Sequence, residues 1–493
     1  MRLRILSRSS ALARLQVALV SRALTTAHPN LEVECLTRVS AGDRDQTSPL
    51  WQMGDRGAFT ADLSDALRRD EADIVVHSFK DLPIALPDGT QLAGALPRAD
   101  PRDVLLVRRP VAVEKPAALN ILSSSPRRAW LLQETMPALL PWTVSAVTTL
   151  PVRGNIETRL RKLVEGEAHG LVMAKAALDR LLSFGPPFER EAGIVRGYLD
   201  QCFYMVLPMR EFPWAPAQGA IALEIATGKP EIAAVLEPIV CRPTTAAVDV
   251  ERQVLAGYGG GCHQALGAAV LETPHGRVVS VRAKGLAGEA LQQWTLETAR
   301  PAYPRSSPAR MWPRPGEELR TTRRSLSAER PPETAGLWIA RTDALPPSWA
   351  PTPATPVWAA GSQTWRKLAA AGVWVHGCAD GLGDGGRAAV DALAGRELSW
   401  VRLTHAGGVT GEGEIATYAV ETELPEDLPS RSHFFWMSGS LFTAALARWP
   451  QLRDGWHASG PGRTHQAIVA ALGSAGRVGV WLDRESWERE TCQ

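Results

Sequence analysis

Two patterns of hydrophobic and polar positions alternate along the first 230 residues of the chain. Short apolar runs are followed by longer stretches in which apolar residues return every three or four positions. Strands followed by helices in this way are typical of an α/β fold with largely parallel sheets. The predicted elements are a strand at Arg2–Leu6, a helix at Ala11–Thr25, a strand at Leu31–Val39, a helix at Phe59–Arg69 and a strand at Ile74–His77.

A second series of elements begins after the segment Asp-Pro-Arg-Asp at 100–103. Because an Asp-Pro pair favours a turn and ends helices, we place a crossing between two lobes there. Beyond it we expect a strand at Val104–Val107 and a helix that opens at Ala129–Glu134.

The composition changes after residue 300. Residues 300–334 combine many Arg with seven Pro, which predicts a linker with one short helix at Glu317–Ala328. Twelve of the 17 Trp lie beyond residue 300. Three units of a strand, a Gly-containing turn and a helix follow, near Val357–Ala371, Phe434–Arg448 and Trp456–Leu472. We therefore expect a second, separately folded α/β region at 335–493.

The net charge of the chain limits the kinds of molecule that it is expected to bind. The chain has 493 residues, with 54 Lys and Arg against 52 Asp and Glu, and a net charge of +2. This length exceeds one small domain, and the small net charge argues against a general nucleic-acid binder, which needs a basic excess. Forty-seven of the 54 cations are Arg, whose planar group binds carboxylates in a bidentate way. High genomic GC content would also produce many of them, so their positions matter more than their number.

The spacing of the cysteines and the short lengths of the apolar runs favour a soluble protein in a reducing compartment. The six cysteines are scattered, without a C-x-x-C pair or a Cys/His set at metal-ligand spacing. We therefore expect neither a metal site nor a disulfide framework. The N-terminal residues lack the apolar region of a signal peptide, and no window approaches a membrane span. These features predict a cytoplasmic monomer that binds neither nucleic acid nor membranes.

Three kinds of polar group follow the predicted strand at 74–77. Ser78, Lys80 and Asp81 supply a hydroxyl, a cation and a carboxylate where this strand ends. Ligands bind at the carboxyl ends of the strands in parallel sheets, so these groups are well placed to act on one. The local residues leave an alternative open, in which the serine caps a helix and Lys80 and Asp81 form a solvated pair.

Arginines recur near predicted helix starts. Helix N-termini bind anions through free N–H groups, and hydroxyls at Ser124 and Ser125 precede two adjacent arginines at one such start. A Gly-Asn turn at 154–155 separates two more. An ordinary serine cap with solvated arginines is equally compatible with the local residues. Together the arginines form a plausible cradle for a polycarboxylate or a phosphate: Arg8, Arg127, Arg128, Arg153, Arg159 and Arg180.

A single thiol follows three glycines. Cys262 comes directly after Gly259, Gly260 and Gly261, which free the backbone around it. A lone cysteine is more often a small buried apolar residue, but a core position seldom follows three glycines. We favour a working thiol, either a nucleophile or an attachment point.

The first 300 residues resemble hydroxymethylbilane synthase, also called porphobilinogen deaminase. The resemblance depends on an ordered series of motifs, each weak alone. They are Ser-Arg-Ser-Ser at 7–10, Arg-Gly-Ala-Phe at 56–59, His-Ser-Phe-Lys-Asp-Leu-Pro at 77–83, Asp-Pro-Arg-Asp at 100–103, Ser-Ser-Pro-Arg-Arg at 124–128, Arg-Gly-Asn at 153–155, Gln-Gly-Ala at 218–220 and Gly-Gly-Cys at 260–262.

This resemblance implies the reaction and the roles of the matching residues. The family joins porphobilinogen units head to tail on a dipyrromethane cofactor, and Cys262 matches the thioether attachment point. Asp81 matches the catalytic carboxylate, with Lys80 beside it. The residues implied to contact the cofactor are Ser78, Lys80, Asp81, Ser124, Ser125, Arg127, Arg128, Arg153 and Gln218. Those implied to bind substrate are Arg8, Ser10, Arg56, Phe59, Arg159 and Arg180.

The implied fold has two lobes like those of periplasmic binding proteins and a small α+β domain that carries the cofactor cysteine. Lobe 1 is expected at 1–99 and 206–230, lobe 2 at 100–205 and the α+β domain at 231–300. Four positions depart from the family pattern: Arg56 lies in Gly-Asp-Arg-Gly, Pro126 replaces a leucine, Ala217 replaces a glycine, and Ala265 stands where the family has proline. No reactive group is lost, but rate and cofactor loading are left open.

Residues 335–493 resemble, less specifically, uroporphyrinogen-III synthase, which closes hydroxymethylbilane. The matching pieces include Trp-Ala-Ala-Gly-Ser at 358–362 and Phe-Trp-Met-Ser-Gly-Ser at 435–440. Tyr418 matches the tyrosine proposed in that family to help expel the hydroxyl group, or it is a packed aromatic beside a strand. The region is shorter than is usual for the family, so either an active enzyme or a non-catalytic domain is compatible with it.

The leading hypothesis is therefore a bifunctional α/β enzyme that makes hydroxymethylbilane and then cyclises it. Porphobilinogen and hydroxymethylbilane are its expected small-molecule partners. One alternative keeps the first activity and treats the C-terminal region as structural. Another, from a different class, is a two-lobed anion-binding protein, since a fold does not fix a function.

Overall fold

The strands in the described part of the chain form five sheets, and helices pack against them. The computed structural model describes residues 1–39, 60–259, 264–285, 289–298, 303–383, 389–409, 411–473 and 477–493. Within these ranges the fold is mixed α/β, as predicted. None of the helices described there is both long enough and apolar enough to span a membrane.

The first sheet and its helices form lobe 1. Helix α1 (Ala11–Ala27) and helix α2 (Ala61–Arg68) follow two of its strands. The strands are β1 (Arg2–Arg8), β2 (Glu32–Arg38), β3 (Ile74–Ser78), β4 (Thr90–Ala95) and β10 (Ile221–Ala226). Their order is β2-β1-β3-β10-β4. The first four residues of β3 are buried, as expected for a central strand covered on both faces.

The second sheet and its helices form lobe 2. Its strands are β5 (Asp103–Arg108), β6 (Ala118–Leu122), β7 (Ala146–Leu150), β8 (Gly170–Ala174) and β9 (Cys202–Val206). Its helices are α3 (Arg109–Glu114), α4 (Pro126–Leu139), α5 (Ile156–Val164), α6 (Lys175–Ser183) and α7 (Glu189–Leu199). The strand order is β7-β6-β8-β5-β9.

The two sheets are mixed, which corrects the expectation of largely parallel strands. In lobe 1, β10 runs antiparallel to both of its neighbours, and in lobe 2 the same holds for β5. Each of these strands is the first that the chain forms after it crosses from the other lobe. A strand that enters from the opposite side runs against those built by local strand-helix-strand connections.

A third, antiparallel sheet packs beside both lobes. Helix α8 (Pro230–Leu236) leads to helix α9 (Arg242–Gly257), which lies against strands β11 (Leu266–Thr273), β12 (Gly276–Lys284) and β13 (Ala290–Glu297). Glu251 of α9 is fully buried and accepts two hydrogen bonds of 2.8 Å from Arg98. This bidentate pair ties the third unit to the chain that leaves lobe 1.

The C-terminal region contains the other two sheets. The larger one has the order β15 (Thr321–Ser325), β20 (Glu414–Thr422), β19 (Trp400–His405), β16 (Gly336–Ile339), β17 (Val357–Ala359) and β18 (Gly377–Cys378). The smaller one has the order β14 (Met311–Trp312), β21 (His433–Trp436), β22 (Trp456–Ser459) and β23 (Val478–Val480). The helices are α10 (Ser362–Ala370), α11 (Asp391–Ala394), α12 (Gly439–Arg448), α13 (Arg463–Leu472) and α14 (Arg484–Thr491). The three predicted strand-turn-helix units are confirmed.

The segment at 303–334 is not a free linker, and the helix predicted at Glu317–Ala328 is wrong. Strand β15 occupies part of that stretch and pairs antiparallel with β20, while β14 pairs parallel with β21. Thr321 and Thr322, which open β15, favour a strand, and the pairing partner is almost 100 residues away in the sequence. Local composition therefore misled the prediction, because the strand depends on a distant partner.

Lobe 2 and the C-terminal region share one hydrophobic core. A continuous cluster of buried side chains joins Leu131 and Leu139 of α4 to Trp365 of α10 and to Trp374. Trp374 is 1% exposed and its ring lies 5.5 Å from that of Phe203. The indole N–H of Trp365 donates to the carbonyl of Leu139 at 2.9 Å. The C-terminal region, which was predicted to fold separately, is thus packed directly against lobe 2.

Candidate functional site

One edge of the first sheet collects the polar groups of lobe 1. Strands β1 and β3 run parallel, so their carboxyl ends lie at the same edge. Arg8 ends β1, Ser78 ends β3, and the residues Phe79–Asp81 form a single turn of 3₁₀ helix directly after it. This turn presents Lys80 and Asp81 at the carboxyl end of the sheet, as predicted for a ligand-binding edge.

The corresponding edge of the second sheet collects the arginines. Strands β6, β7 and β8 run parallel, and a helix begins after each of them. The starts of α4 and α5 bring four of the predicted arginines to this edge: Arg127, Arg128, Arg153 and Arg159. Arg180 lies in the last turn of α6. That the six arginines act together as one cradle stays a prediction.

The serines of both lobes hold backbone groups. Ser10 caps α1 by accepting from the Ala13 amide at 3.3 Å, and Ser125 caps α4. Ser124 donates to the Val152 carbonyl at 2.8 Å and accepts from its amide at 2.9 Å. Pro126 is the first residue of α4, where a proline fits because that amide has no intrahelical partner. These hydroxyls position the helix starts, and Pro126 leaves the start of α4 intact.

Asp103, the first residue of β5, is buried between two arginines of lobe 2 and was not among the predicted site residues. It is fully buried, and its two oxygens accept from Arg127 at 2.7 Å and from Arg128 at 2.6 Å. Burial alone would raise the pKa of Asp103, but the two guanidinium groups hold it well below its usual range. One carboxylate thus faces two arginines, and one positive charge remains in excess. The position of Asp103 in the Asp-Pro-Arg-Asp motif at 100–103 is the feature of the sequence that could have pointed to this residue.

Gln218 joins the two lobes. Its Oε1 accepts from Lys80 Nζ of lobe 1 at 3.3 Å and from Arg128 of lobe 2 at 3.5 Å. Its amide nitrogen donates to Asp103 at 3.0 Å and to the carbonyl of Pro101 at 2.8 Å. The side chain is 1% exposed, so its orientation is fixed by these partners. Gln218 therefore sets how Lys80 lies relative to the arginines.

Asp81 lies within electrostatic reach of cations from both lobes. Burial lowers the pKa of Lys80 to about 8, although the Asp81 carboxylate favours its charged form. Burial and the neighbouring Arg128 and Arg153 lower the pKa of Arg159 to about 10, and Asp81 again acts in the opposite direction. Lys80 and Arg159 are therefore charged at neutral pH. Lys80 also donates to Gln218 at 3.3 Å, and this contact disfavours the interpretation of Lys80 and Asp81 as a simple solvated pair.

The positions of Arg159 and Arg180 depend on neighbouring glycines. Arg159 Nε donates to the carbonyl of Gly154 at 2.8 Å, and Gly154 has a φ of +104°, in the region that favours glycine. Arg180 donates to the carbonyl of Gly219 at 2.6 Å, and a Cβ on Gly219 would lie 2.6 Å from the Ala99 carbonyl oxygen. Burial lowers the pKa of Arg180 to about 10.

Ala217, one of the four departures from the family pattern, has a left-handed backbone. Its φ is +63°, where a glycine would be unstrained, and the residue is fully buried. Its amide donates to Glu251 at 2.7 Å, which holds the conformation. Three other predicted residues, Arg56, Phe59 and Cys262, lie outside the described residues.

In the C-terminal region the predicted tyrosine is buried beside the polar groups at the end of β19, and its ring centroid lies 5.9 Å from that of His405. Tyr418 is 3% exposed and belongs to the shared core, and burial raises the pKa of its hydroxyl. This placement favours the packed interpretation of that residue. His405, which ends β19, lies 3.1 Å through Nε2 from the hydroxyl of Ser440 in α12. Ser438 Oγ lies 2.7 Å from Ser440 Oγ. These polar groups connect the two C-terminal sheets; Ser438 and Ser440 lie in the motif at 435–440, whereas nothing in the sequence pointed to His405.

Solved structures that resemble the chain are distant. A periplasmic sulfonate-binding protein from Methylobacillus flagellatus aligns with a TM-score of 0.29 and 13% identity over 52% of this chain and 72% of its own. The transcriptional regulator CbnR aligns with a TM-score of 0.28 and 11% identity over 50% of this chain and 70% of its own.

Sequence comparison gives a much closer match. Residues 3–234 match the family described as porphobilinogen deaminase, dipyromethane cofactor binding domain. The porphobilinogen deaminase of Burkholderia ambifaria is 34% identical over 267 residues, which are 54% of this chain and 74% of the relative. The probable porphobilinogen deaminase of Pyrobaculum islandicum is 32% identical over 279 residues, or 56% and 85% of the two chains. These matches and the arrangement of the site agree, and the chain belongs to the porphobilinogen deaminase family.

Proposed function

We propose that the chain joins four porphobilinogen units head to tail into hydroxymethylbilane, with release of ammonia, on a dipyrromethane held by Cys262. The observation that carries this proposal is the hydrogen-bonded network of Lys80, Gln218, Arg128 and Asp103, which connects both lobes. Asp81 lies within electrostatic reach of the cations on either side of it.

The side chains present fit a dipyrromethane. Each of its rings carries an acetate and a propionate, so the group needs several cations in a shielded place. Arg159 and Arg180 remain charged at neutral pH, and the Arg127, Arg128 and Asp103 cluster keeps one excess positive charge. When bound, dipyrromethane supplies the free pyrrole carbon to which the first porphobilinogen is joined.

Asp81 is the proposed catalytic carboxylate. Porphobilinogen loses ammonia when its aminomethyl C–N bond breaks, and the carbon left behind shares its positive charge with the pyrrole nitrogen. A carboxylate that accepts a hydrogen bond from that N–H stabilises the charge, and it can then take up the proton released when the new C–C bond forms. Lys80 and the arginines bind the carboxylates and orient the rings.

Intact mass measurement tests the first activity. The purified protein is expected to carry a mass increment of two pyrrole rings, which Cys262→Ser removes. Cys35→Ser is the matched control, since that cysteine is exposed and lies on the edge strand β2, and it should keep the increment. An unmodified wild-type chain that does not consume porphobilinogen would contradict the proposal and favour a two-lobed anion-binding protein.

A second activity is proposed for the C-terminal region, which we infer closes hydroxymethylbilane to uroporphyrinogen III. The observation that favours it is the pairing of His405 with Ser440, because β19 and β21 each run parallel to both of their neighbours and their carboxyl ends meet at this point. A second site on the same chain would also capture an unstable product at a high effective concentration.

The isomers made from porphobilinogen test this second activity. The wild-type protein alone is expected to give mainly isomer III, and Ser440→Ala should shift the products toward isomer I. Formation of isomer I alone by the wild-type protein would leave the C-terminal region as a structural part of a monofunctional deaminase.

A further inference from the structure

The chain returns from lobe 2 to lobe 1 through a segment that we call the return crossover, residues 207–219. It carries Gln218, whose side chain contacts Lys80, Arg128 and Asp103. A displacement of the return crossover that reaches residue 218 therefore moves the residue that connects the two halves of the site.

The C-terminal region holds this crossover at its start. Asp380 Oδ2 accepts from the amide of Met209 at 3.1 Å, and Oδ1 accepts from the amide of Arg210 at 3.3 Å. Three residues before Met209, the amide of Val206 donates to the carbonyl of His376 at 2.8 Å. Asp380 itself has a φ of +53°, a backbone state that is costly for a residue with a side chain and is stabilised here by its contacts.

The third unit and lobe 2 hold the same crossover from other sides. Ser280 Oγ donates to the carbonyl of Met209 at 2.9 Å, and Arg282 donates to that of Glu211 at 2.7 Å. Arg127 donates to the carbonyl of Pro213 at 2.8 Å. These partners bind carbonyl groups, whereas Asp380 binds two successive amides in the turn at 209–210. Its contribution is therefore distinct from theirs.

We propose that Asp380 of the C-terminal region is a positioning residue for the deaminase reaction, which acts by holding the return crossover and through it Gln218. This inference rests on the first activity proposed above and is independent of the second. It gives residues 303–493 a task in the synthesis of the bilane whether or not they also close it.

The charge of Asp380 allows an experiment to distinguish a positioning role from a purely structural one. Burial raises the pKa of Asp380 to about 6, and the nearby Glu211 carboxylate adds to this effect, while Arg102 opposes it. Cys378 is the other titratable group beside it, and burial keeps that thiol protonated. At pH 8 the carboxylate is therefore charged in an unfavourable place. Asp380→Asn removes that cost but leaves one of the two amides without its acceptor.

The first test compares stability and rate in Asp380→Asn at pH 8. We expect a melting temperature no lower than that of the wild-type protein, together with about a tenfold loss of kcat/KM for porphobilinogen, because small misplacements in a site are costly. Glu426→Gln, an exposed change elsewhere in the C-terminal region, should leave both unchanged. Parallel loss of stability and rate would indicate a structural role, and an unchanged rate would overturn the proposal.

The second test asks whether Asp380 acts through Gln218. If it does, the double variant Asp380→Asn/Gln218→Ala should be no slower than Gln218→Ala alone, because residues in one pathway are not additive. Multiplied losses of rate would contradict the proposal. Hydrogen exchange of residues 207–219 should be faster in Asp380→Asn than in the wild type. If the wild-type protein made no bilane, the deaminase proposal would fail, and unchanged exchange would separately refute the positioning role.

Discussion

Arg127 and Asp103 form an ion pair in which both side chains are almost fully excluded from solvent. Nη2 of the arginine lies 2.7 Å from Oδ2 of the carboxylate, and Arg128 binds the other oxygen. A buried charge that loses its partner is far more destabilising than the pair is stabilising. Arg127 and Arg128 are thus held in place by a residue that does not itself bind an acidic ligand.

Replacement of Asp103 should destabilise lobe 2. Asp103→Asn leaves two buried guanidinium groups facing an uncharged amide, so we expect a loss of about 3–5 kcal/mol in the free energy of unfolding. Denaturant unfolding followed by tryptophan fluorescence measures it. Asp88→Asn, at an exposed position of lobe 1, is the control and should change stability little. Equal stability of the two variants would show that the arginines do not depend on this carboxylate.

The same carboxylate predicts the direction of acid sensitivity. The folded-state pKa of Asp103 is lowered, so its stabilising contribution is complete above the pKa of the unfolded state, near 4, and is lost as the pH falls below it. Wild-type stability should therefore fall between about pH 4 and pH 2, and Asp103→Asn should show a shallower fall over that interval. Equilibrium unfolding at a series of pH values measures both slopes.

Lys80 predicts a pH dependence on the alkaline side. Because its pKa is lowered to about 8, it loses its charge as the pH rises through that value. We expect the KM for porphobilinogen to rise above pH 8, and we expect Lys80→Arg to remove most of that rise because guanidinium stays charged. The exposed Lys229→Gln is the control. A KM that rises identically in wild type and Lys80→Arg would assign the effect to another group.

Asp81 predicts the largest effect on rate. Asp81→Asn keeps the shape of the side chain but removes the group that stabilises the developing cation and takes up a proton, so elongation should slow by at least about 100-fold. Steady-state formation of hydroxymethylbilane measures it, and the mass of the purified variant reports whether the cofactor is still attached. Turnover at the wild-type rate would refute the assignment.

Trp374 predicts coupling between the two halves of the protein. Its ring is packed against Trp142 and Phe203 of lobe 2, and its N–H donates to the Tyr204 carbonyl at 3.1 Å. Trp374→Ala should cost about 3–5 kcal/mol and lower the temperature at which deaminase activity is lost. Trp449→Ala, at the residue that follows helix α12, should leave that temperature nearly unchanged. Two separate unfolding transitions in the wild-type protein would contradict a shared core.

Much of the site could be predicted because it depends on local order along the chain. Strand ends, helix starts and turn glycines are encoded within a few residues, which is why Lys80, Asp81 and the arginines were found together. Asp103 and Asp380 were missed because their roles come from partners far away in the sequence. The antiparallel strands β5 and β10, and the strand β15 in place of a helix, have the same cause. Each is decided by a neighbour that local patterns do not reveal.

The shared core has a consequence for how this chain can change over evolutionary time. Leu131 and Leu139 of lobe 2 belong to the same buried cluster as Trp365 and Trp374, and the rings of Phe203 and Trp374 are in contact. Recombination that exchanged the C-terminal region for that of a relative would supply side chains of the wrong shape to the surface where the two halves meet. A split of the gene into two would expose several large apolar groups on both products. We therefore expect the two halves to be inherited together, and we expect substitutions on one side of this surface to be accompanied by substitutions on the other.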